Sequence, residues 1–554
     1  MKLPRVSDDD RQTYQEFAVR MIGRIVFCWF LKFKKSKSGQ PLLPEHLLSS
    51  EAVRRNENFY HKILEPLFFQ TLNTPMKDRI KDLPDGCEQV PFLNGGLFEP
   101  KREEDFYDAE SRTGNYQNYG LKIPDDWFER FFATLEQYNF TIDENSPTEV
   151  EISIDPEILG RIFENLLAEI DPDSGETARK ATGSFYTPRE IVNYMVDESL
   201  IIYLKSKLLG DSDPNNLWKG NETKLEETLR RLFSYAEAEN PFDEADTQKL
   251  IKAIDDLKIL DPACGSGAFP MGVLHRLVFL LGKLDRKNER WKAAQIAKID
   301  RLIKNANDIE DLNLRRKITD DLRQRKAEIE KDFENKEFDF GRKLFLIENC
   351  IYGVDIQPIA AEISKLRCFL TLIVDEDVSD DLRNNRGVKP LPNLEFKFVT
   401  ADALLKLPEA EVQADLFNND DNEQLAKLGQ LRHDYIQSFG EQKKVIKEKF
   451  EDIQDDIRRK LNKYGSRENK RALALSNWNP FSHDKVDWFD PLWMFGVKEF
   501  DIVIGNPPYV QMQKDGGRLA KLYAKENYQT YERTGDIYCL FYERGYNEPQ
   551  KLDR

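Results

Sequence analysis

Apolar residues recur at helical spacing through the first third of the chain. The most apolar stretch, residues 17–33, reads FAVRMIGRIVFCWFLKF and is interrupted by Arg20 and Arg24. It falls short of the roughly 20 apolar residues that a membrane-spanning helix needs. The pattern therefore predicts a buried amphipathic helix, no membrane span, and a helical N-terminal domain over residues 1–180.

Four short apolar runs with strand character follow, at residues 257–260, 350–354, 396–400 and 500–504. Helical patterns accompany them, including residues 190–208 and 268–284. The repeated order of strand, loop and helix is typical of a parallel sheet with helices on both faces. We therefore expect an α/β fold over residues 181–554, with ligands bound outside the carboxyl ends of the strands.

Two long, highly charged segments without proline interrupt this pattern at residues 286–337 and 419–464. Their apolar residues recur every three or four positions, which predicts two helical hairpins inserted at about 286–340 and 405–480. The hairpins either pack on the core or grip DNA as arms. Alternating acidic and basic residues favour packing.

The chain has 82 basic and 99 acidic residues and a net charge of −17. This balance excludes a protein that coats DNA by bulk charge, but it permits a local basic cleft. The six cysteines form no C-x-x-C pair, and there are only five histidines. We therefore expect no metal site, no disulfide framework and a reducing cytoplasmic location.

The first predicted strand runs into the sequence D-P-A-C-G-S-G at residues 261–267. Gly265 and Gly267 carry no Cβ, so the backbone can turn tightly and approach a ligand. The sixth position of a dinucleotide fingerprint would be glycine, but here it is Pro270. Asp261 either meets a ligand amino group or forms the turn beneath the loop.

The next two strands also end in carboxylates. Asp355 ends I-Y-G-V-D and could accept hydrogen bonds from the ribose hydroxyls of an adenosine group, or it is a surface residue at a strand end. Asp402 follows the third strand and could accept a hydrogen bond from the adenine amino group. Further upstream, T-G-S-F-Y-T-P at 182–188 precedes a helix, where Phe185 and Tyr186 either cover a ligand or pack in the core.

The most informative stretch is I-G-N-P-P-Y, at residues 504–509. Asn506 emerges directly after a buried strand, and Pro507 and Pro508 fix φ and donate no hydrogen bond. Their carbonyl groups and the Asn506 side-chain oxygen are acceptors suited to a ring amino group. Tyr509 supplies a face on which a flipped base can stack.

These motifs resemble those of the N6-adenine DNA methyltransferases, in the amino-methyltransferase class whose cofactor loop precedes N-P-P-Y. The resemblance implies a Rossmann-like methyltransferase sheet and S-adenosyl-L-methionine as cofactor. It implies a cofactor site comprising Phe185, Tyr186, Thr187, Asp261, Pro262, Cys264, Gly265, Gly267, Asp355, Ile356 and Asp402. It implies a catalytic set comprising Asn506, Pro507, Pro508 and Tyr509.

The helical prefix, the inserted hairpins and the phrases at 91–100 and 487–495 resemble the methyltransferase part of type IIG restriction–modification enzymes, or relatives used in phage exclusion. Double-stranded DNA is then the expected partner. Three rival functions remain: a methyltransferase of RNA or protein glutamine, a non-catalytic DNA-binding or specificity subunit, and a combined nuclease–methyltransferase. A nuclease-like E-x-K spacing occurs at Glu395 and Lys397, with no supporting acidic partner evident in the sequence.

Members of the resembled class continue after N-P-P-Y with further strands and a target-recognition domain. The sequence after Tyr509 reads as loop and helix, without another strand. We therefore expect four parallel strands, a sheet that is incomplete at its C-terminal side, and no target-recognition domain within these residues. A separate specificity or C-terminal polypeptide would complete the enzyme.

Overall fold

A computed structural model describes residues 1–93, 96–100, 105–107, 120–140, 153–154, 187–210, 218–237, 239–306, 338–389, 391–409, 419–436, 441–463, 470–482 and 484–547, with isolated positions between 315 and 330. Helices dominate these residues. None of the helices in these ranges is both long and apolar enough to cross a membrane. The predicted helix over 17–33 lies within the longer Arg11–Phe33 helix, and most of its side chains are buried.

The α-helices have the following bounds: Arg11–Phe33, Ser50–Arg55, Asp125–Leu135, Arg189–Leu209, Glu222–Phe233, Glu244–Asp256, Ala268–Leu284, Glu289–Ala306, Phe338–Asn349, Pro358–Asp375, Asn419–Ile436, Glu441–Lys463, Lys470–Asn477, Pro491–Phe495, Lys514–Tyr523 and Tyr538–Asn547. Two π-helical segments, Tyr60–Leu64 and Pro66–Leu72, lie in the N-terminal region. A separate two-stranded parallel pair joins Asn139–Phe140 to Ser153–Ile154.

The central sheet has four parallel strands. They are β1 (Ile259–Asp261), β2 (Ile351–Asp355), β3 (Phe398–Thr400) and β4 (Ile502–Val503). Their order across the sheet is β3-β2-β1-β4, so the chain moves outwards from β1 on one side and returns to its other side for β4. The carboxyl ends of β1 and β4 therefore flank a topological switch point, where open α/β sheets bind ligands.

The strand positions agree with the sequence pattern, but each strand starts one or two residues later than predicted. The cause is visible for β1 and β3. Leu257 ends the preceding helix, since its N–H donates to the Ile254 carbonyl oxygen, and β1 starts two residues later. The N–H of Lys397 donates to the Leu394 carbonyl oxygen in a turn, and this delays β3 to Phe398. Both differences arise from turns that hydrophobic periodicity does not encode.

The N-terminal Arg11–Phe33 helix packs against the Pro358–Asp375 helix, which directly follows β2. Arg20 Nε lies 3.4 Å from Glu362 Oε1 across this contact. Arg24 forms a buried pair with Asp105 at 2.7 Å. The same hydrophobic cluster includes residues from the N-terminal helices and from the sheet, so the two regions share a core.

The second charged segment forms two helices, Asn419–Ile436 and Glu441–Lys463, which pack against each other. Their apolar side chains are buried in an aromatic cluster on the sheet: Tyr435, Phe450, Ile457 and Leu461. This burial favours packing over a free arm. Of the first segment, Glu289–Ala306 is a described helix, and much of the remainder lies outside the described residues.

The E-x-K spacing does not form a nuclease site. The Glu395 carboxylate pairs with Lys443 of the inserted helix at 3.3 Å. Lys397 is buried with its ammonium 4.1 Å from the centre of the Tyr352 ring. Burial lowers the pKa of Lys397 to about 7. Both side chains thus belong to the packing of the sheet.

Candidate active site at the switch point of the sheet

The loops after β1 and β4 meet at the switch point. The N–H of Ile504 donates to the Leu260 carbonyl oxygen at 2.9 Å, which extends the pairing of β4 with β1. A Cβ on Gly505 would lie 2.5 Å from Asp261 Oδ1 and 3.6 Å from Pro262 Cδ. Only glycine therefore fits this position without a shift, and this close approach sets Asn506 beside the Asp261 loop.

The glycine-rich loop after β1 is held from below by the Pro358–Asp375 helix. Gly265 and Gly267 have φ of 52° and 83°, in the left-handed region that favours glycine. Ser364 Oγ donates to the Gly265 carbonyl oxygen at 3.1 Å. Arg367 Nη1 donates to the Ser266 carbonyl oxygen at 2.9 Å. Two side chains of one helix thus fix the loop that precedes the Ala268–Leu284 helix.

Asp261 is the buried carboxylate at the centre of the site, with 2% of its surface exposed. Its Oδ1 accepts a hydrogen bond from the Ala263 N–H at 3.1 Å. Its Oδ2 is buried and has no hydrogen-bond partner among the described residues. Burial, and secondarily the nearby Asp355 carboxylate, raise the pKa of Asp261 to about 8. The site therefore contains an acceptor atom that lacks a donor.

Asp355 connects the end of β2 to the glycine loop. Its Oδ2 accepts from the Gly265 N–H at 2.8 Å, and its Oδ1 accepts from the Gln357 N–H at 2.8 Å. The next residue, Ile356, has 45% of its surface exposed. The structure thus brings a carboxylate and an exposed apolar side chain together beside Gly265.

Asp402 lies at the end of β3 and is buried. Its Oδ1 accepts from the Leu404 N–H at 3.1 Å, and its Oδ2 accepts from the Tyr523 hydroxyl at 3.0 Å. Burial raises its pKa. Each carboxylate oxygen has a second lone pair, so these bonds leave Asp402 able to accept from a ligand.

Asn506 is held by two side-chain hydrogen bonds. Its Nδ2 donates to Thr187 Oγ1 at 3.1 Å, and its Oδ1 accepts from the Tyr509 hydroxyl at 3.1 Å. These bonds fix which end of the amide faces each neighbour and leave one lone pair on Oδ1. Within the described ranges, no hydrogen bond ends on the Pro507 carbonyl oxygen. Two acceptors in adjacent residues are thus available at the mouth of the site.

Tyr509 is the exposed aromatic residue of this loop, with 48% of its surface accessible. Its ring centre lies 5.4 Å from that of Tyr538, at the start of the Tyr538–Asn547 helix. Pro507 and Pro508 are half-buried and carry the chain from Asn506 to this ring. The ring stands next to the Asn506 oxygen, where it can cover one face of a planar ligand.

The structure brings most of the expected site residues together. Phe185 and Tyr186 lie outside the described residues, whereas Thr187 reaches Asn506. Cys264 is buried under the loop, with its Sγ 3.9 Å from Ser364 Oγ, so its thiol packs the loop from beneath. No cluster of three or more potential metal ligands occurs in the described part of the chain.

The sequence patterns did not indicate four residues that support the site: Gly505, Ser364, Arg367 and Tyr523. Gly505 stood inside the I-G-N-P-P-Y motif, where a glycine directly after a buried strand could have indicated a close approach of two backbones. The other three act across long sequence separations, through contacts that no local pattern encodes.

Comparison with known proteins agrees with this geometry. Residues 349–551, which include β2 to β4 and Asn506, match the family model described as Eco57I restriction-modification methylase. The chain is also 25% identical, over 574 aligned positions, to a Methanocaldococcus jannaschii protein named "Putative type II restriction enzyme and methyltransferase RM.MjaORFECS2P". That alignment covers 91% of this chain and 41% of the relative, so the chain spans about two fifths of that protein's length. Residues 349–551 are therefore similar to restriction-modification methylases of the Eco57I type.

Proposed function

We propose that the protein transfers a methyl group from S-adenosyl-L-methionine to the N6 amino group of adenine in double-stranded DNA. One observation carries the proposal. The Asn506 amide is fixed by Thr187 and Tyr509 directly beside the Asp261 loop, with an acceptor oxygen at the mouth of the site. An amino-group acceptor next to a cofactor loop is what methylation of a ring amine requires.

The residues of the loop fit this cofactor. Asp261 Oδ2 lacks a hydrogen-bond donor, and the methionine ammonium group would supply one. Asp355 stands beside Gly265, where it would accept from the ribose hydroxyls, and exposed Ile356 would cover a face of the adenine. Asp402 would accept from the adenine amino group. When bound, S-adenosyl-L-methionine supplies an electrophilic methyl group on a sulfonium centre.

Asn506 and Pro507 would prepare the target amine. The adenine N6 lone pair is delocalised into the ring, which makes the free amine a poor nucleophile. Asn506 Oδ1 and the Pro507 carbonyl oxygen would accept hydrogen bonds from its two N–H groups. These bonds would localise the lone pair on nitrogen. These acceptors would also stabilise the positive charge that develops on nitrogen during transfer. Preorganised electrostatic stabilisation of this kind is usually the largest single contribution to enzyme catalysis.

Tyr509 would hold the base in place. A base inside a duplex cannot reach Asn506, so the target adenine must leave the helix and enter the site. The exposed Tyr509 ring offers a stacking surface, and base–aromatic stacking is worth about 1–3 kcal/mol. The methylase match favours DNA over RNA or protein glutamine as the substrate. We place the activity in a restriction–modification or phage-exclusion system of the cytoplasm.

A direct test uses the full-length protein and isotopically labelled cofactor with three substrates: duplex DNA, RNA and a glutamine-containing protein extract. We expect label in DNA alone, and its loss in Asn506→Ala. Asn506→Asp, which keeps an acceptor oxygen but loses the donor to Thr187, is the matched control and should retain part of the activity. Label in RNA or protein but not DNA would contradict the assignment. Specific DNA binding without transfer would favour the non-catalytic subunit.

A further inference from the structure

A loop excursion begins directly after Tyr509. Its neck pairs residues 510–512 with 535–537, through Met512 N–H to the Gly535 carbonyl oxygen and Ile537 N–H to the Val510 carbonyl oxygen, both at 2.9 Å. The excursion carries the Lys514–Tyr523 helix. Because the neck adjoins Tyr509 in sequence, the excursion is tied directly to the candidate catalytic loop.

The inner side of this helix is anchored near the cofactor carboxylates. Ala520 and Tyr523 are buried in a small cluster with Leu404 and Met512. The Tyr523 hydroxyl donates to Asp402 at 3.0 Å. The helix therefore has a fixed position between the end of β3 and the catalytic loop.

The outer side of the helix is basic. Arg518, Lys521 and Lys525 are exposed and follow one another at intervals of three and four residues, which places them along one helical face. Lys525 lies just beyond the helix end, after Ala524, whose backbone is still helical. Lys514 is a further exposed cation at the helix start. We call Arg518, Lys521 and Lys525 the basic stripe.

The basic stripe has no ion-pair partner within the described part of the chain. No hydrogen bond or ion pair links these three side chains to another residue that the structure describes. Some exposed cations elsewhere are paired, as Arg230 is with Glu198 and Glu226. The stripe is a local concentration of positive charge on a chain whose net charge is −17.

Two of the nearby acids are directed elsewhere. Glu526 Oε2 accepts from the Lys406 N–H at 3.3 Å, and Asp536 Oδ1 accepts from the Val510 N–H at 3.0 Å in the neck. Glu532 is exposed on the loop that returns to the neck. The outer face thus presents a local positive surface.

We propose that the basic stripe binds the backbone phosphates of the DNA strand next to the flipped adenine. This inference rests on the proposed function and names the surface that holds its substrate. Seven residues of helix rise span roughly 10 Å, close to three base-pair steps along one strand at 3.4 Å each. Phosphate contacts of this kind set position and orientation without reading sequence.

The test compares Arg518→Gln/Lys521→Gln/Lys525→Gln with a matched control, Lys77→Gln/Lys224→Gln/Lys252→Gln. The control lysines are also exposed and lie on other elements. Duplex affinity is measured by fluorescence anisotropy between 50 and 200 mM salt, with cofactor affinity by calorimetry as a folding check. Three lost contacts should reduce the slope of log K against log salt by about 2.7, so the fall over this range should be about 40-fold smaller. The control should keep the wild-type slope.

A single-site pair guards against misfolding of the triple variant. Arg518→Gln should reduce the slope by about 0.9, while Arg518→Lys should restore it, because the contact needs the charge. A wild-type slope in the triple variant, in protein that methylates DNA normally, would overturn the basic stripe and leave the proposed function standing. If the wild-type protein neither binds nor methylates DNA, that result would contradict the proposed function, and with it the role of the basic stripe.

Discussion

Asp261 offers a quantitative test, because cofactor binding should expel its proton. Its Oδ2 is buried without a donor, and burial raises its pKa to about 8. At neutral pH the free protein therefore holds Asp261 mainly as the neutral acid. A methionine ammonium group favours the carboxylate, so binding of the cofactor must be accompanied by loss of one proton.

The size of the effect follows from that pKa. Below pH 8, each unit of decrease should weaken binding by nearly tenfold, so the dissociation constant should be about 70-fold larger at pH 5.5 than at pH 7.5. The stability of the free protein changes with pH in the opposite direction to its cofactor affinity. Because the folded pKa lies above the unfolded one, the stability contribution is present near pH 4 and declines as pH rises to about 8. Asp261→Asn should therefore melt at a higher temperature than wild type at pH 8 and at nearly the same temperature at pH 4.

Calorimetry of S-adenosylhomocysteine, which carries the same amino group, measures this linkage. Titrations at pH 6.5 in buffers of different ionisation enthalpy should show release of about one proton by wild type. Asp261→Asn should bind more weakly, with no proton release and a flat pH dependence. Asp355→Ala should still release a proton, but at lower pH, because the Asp355 charge contributes to the raised pKa of Asp261. Wild-type affinity that is independent of pH, with no proton released, would refute the reasoning.

Three further substitutions test the other parts of the site. Asn506→Ala should lower the methylation rate by roughly 10²–10³-fold while cofactor affinity stays within a few-fold of wild type. Steady-state kinetics measures the rate and calorimetry the affinity. Near-normal turnover would show that Asn506 has no role in the mechanism. Asp355→Ala should weaken cofactor binding by about 10–100-fold, or about 1.5–3 kcal/mol, because the variant loses the ribose acceptor and the hydrogen bond to Gly265. Unchanged affinity would show that Asp355 does not contact the cofactor. Gly505→Ala should cost about 1–3 kcal/mol in stability, because its Cβ would meet Asp261 Oδ1 at 2.5 Å; a thermal melt identical to wild type would show that the two loops can separate.

The sequence was sufficient to locate the four strands of the sheet and the polar residues at their ends. Four apolar runs gave four parallel strands, and Asp261, Asp355 and Asn506 lie at strand ends that the fold brings to one edge. This succeeded because buried parallel strands read as continuous apolar runs, and because the candidate site residues follow those strands directly in sequence. The Ala268–Leu284 helix has the bounds that its pattern predicted.

The features that escaped prediction depend on tertiary contacts. Ser364 and Arg367 hold the glycine loop about 100 residues away in sequence, with separations of 99 and 101. Tyr523 bonds Asp402 across 121 residues. The basic stripe was not predicted either. The sequence of an acidic chain does not show which of its cations are unpaired, nor that three of them lie on the helix that follows Tyr509. Spacing within the sequence contains no information on such pairs.

Nucleoside mass spectrometry tests the central claim most directly. DNA from cells expressing the full-length protein, and from cells expressing Asn506→Ala at equal levels, would be digested and its modified nucleosides quantified. We predict N6-methyladenine in the wild-type sample and its absence with the variant, with no change in any methylated cytosine. Methylation of another base, or equal N6-methyladenine in both samples, would contradict the assignment of Asn506 as the group that orients the adenine amine.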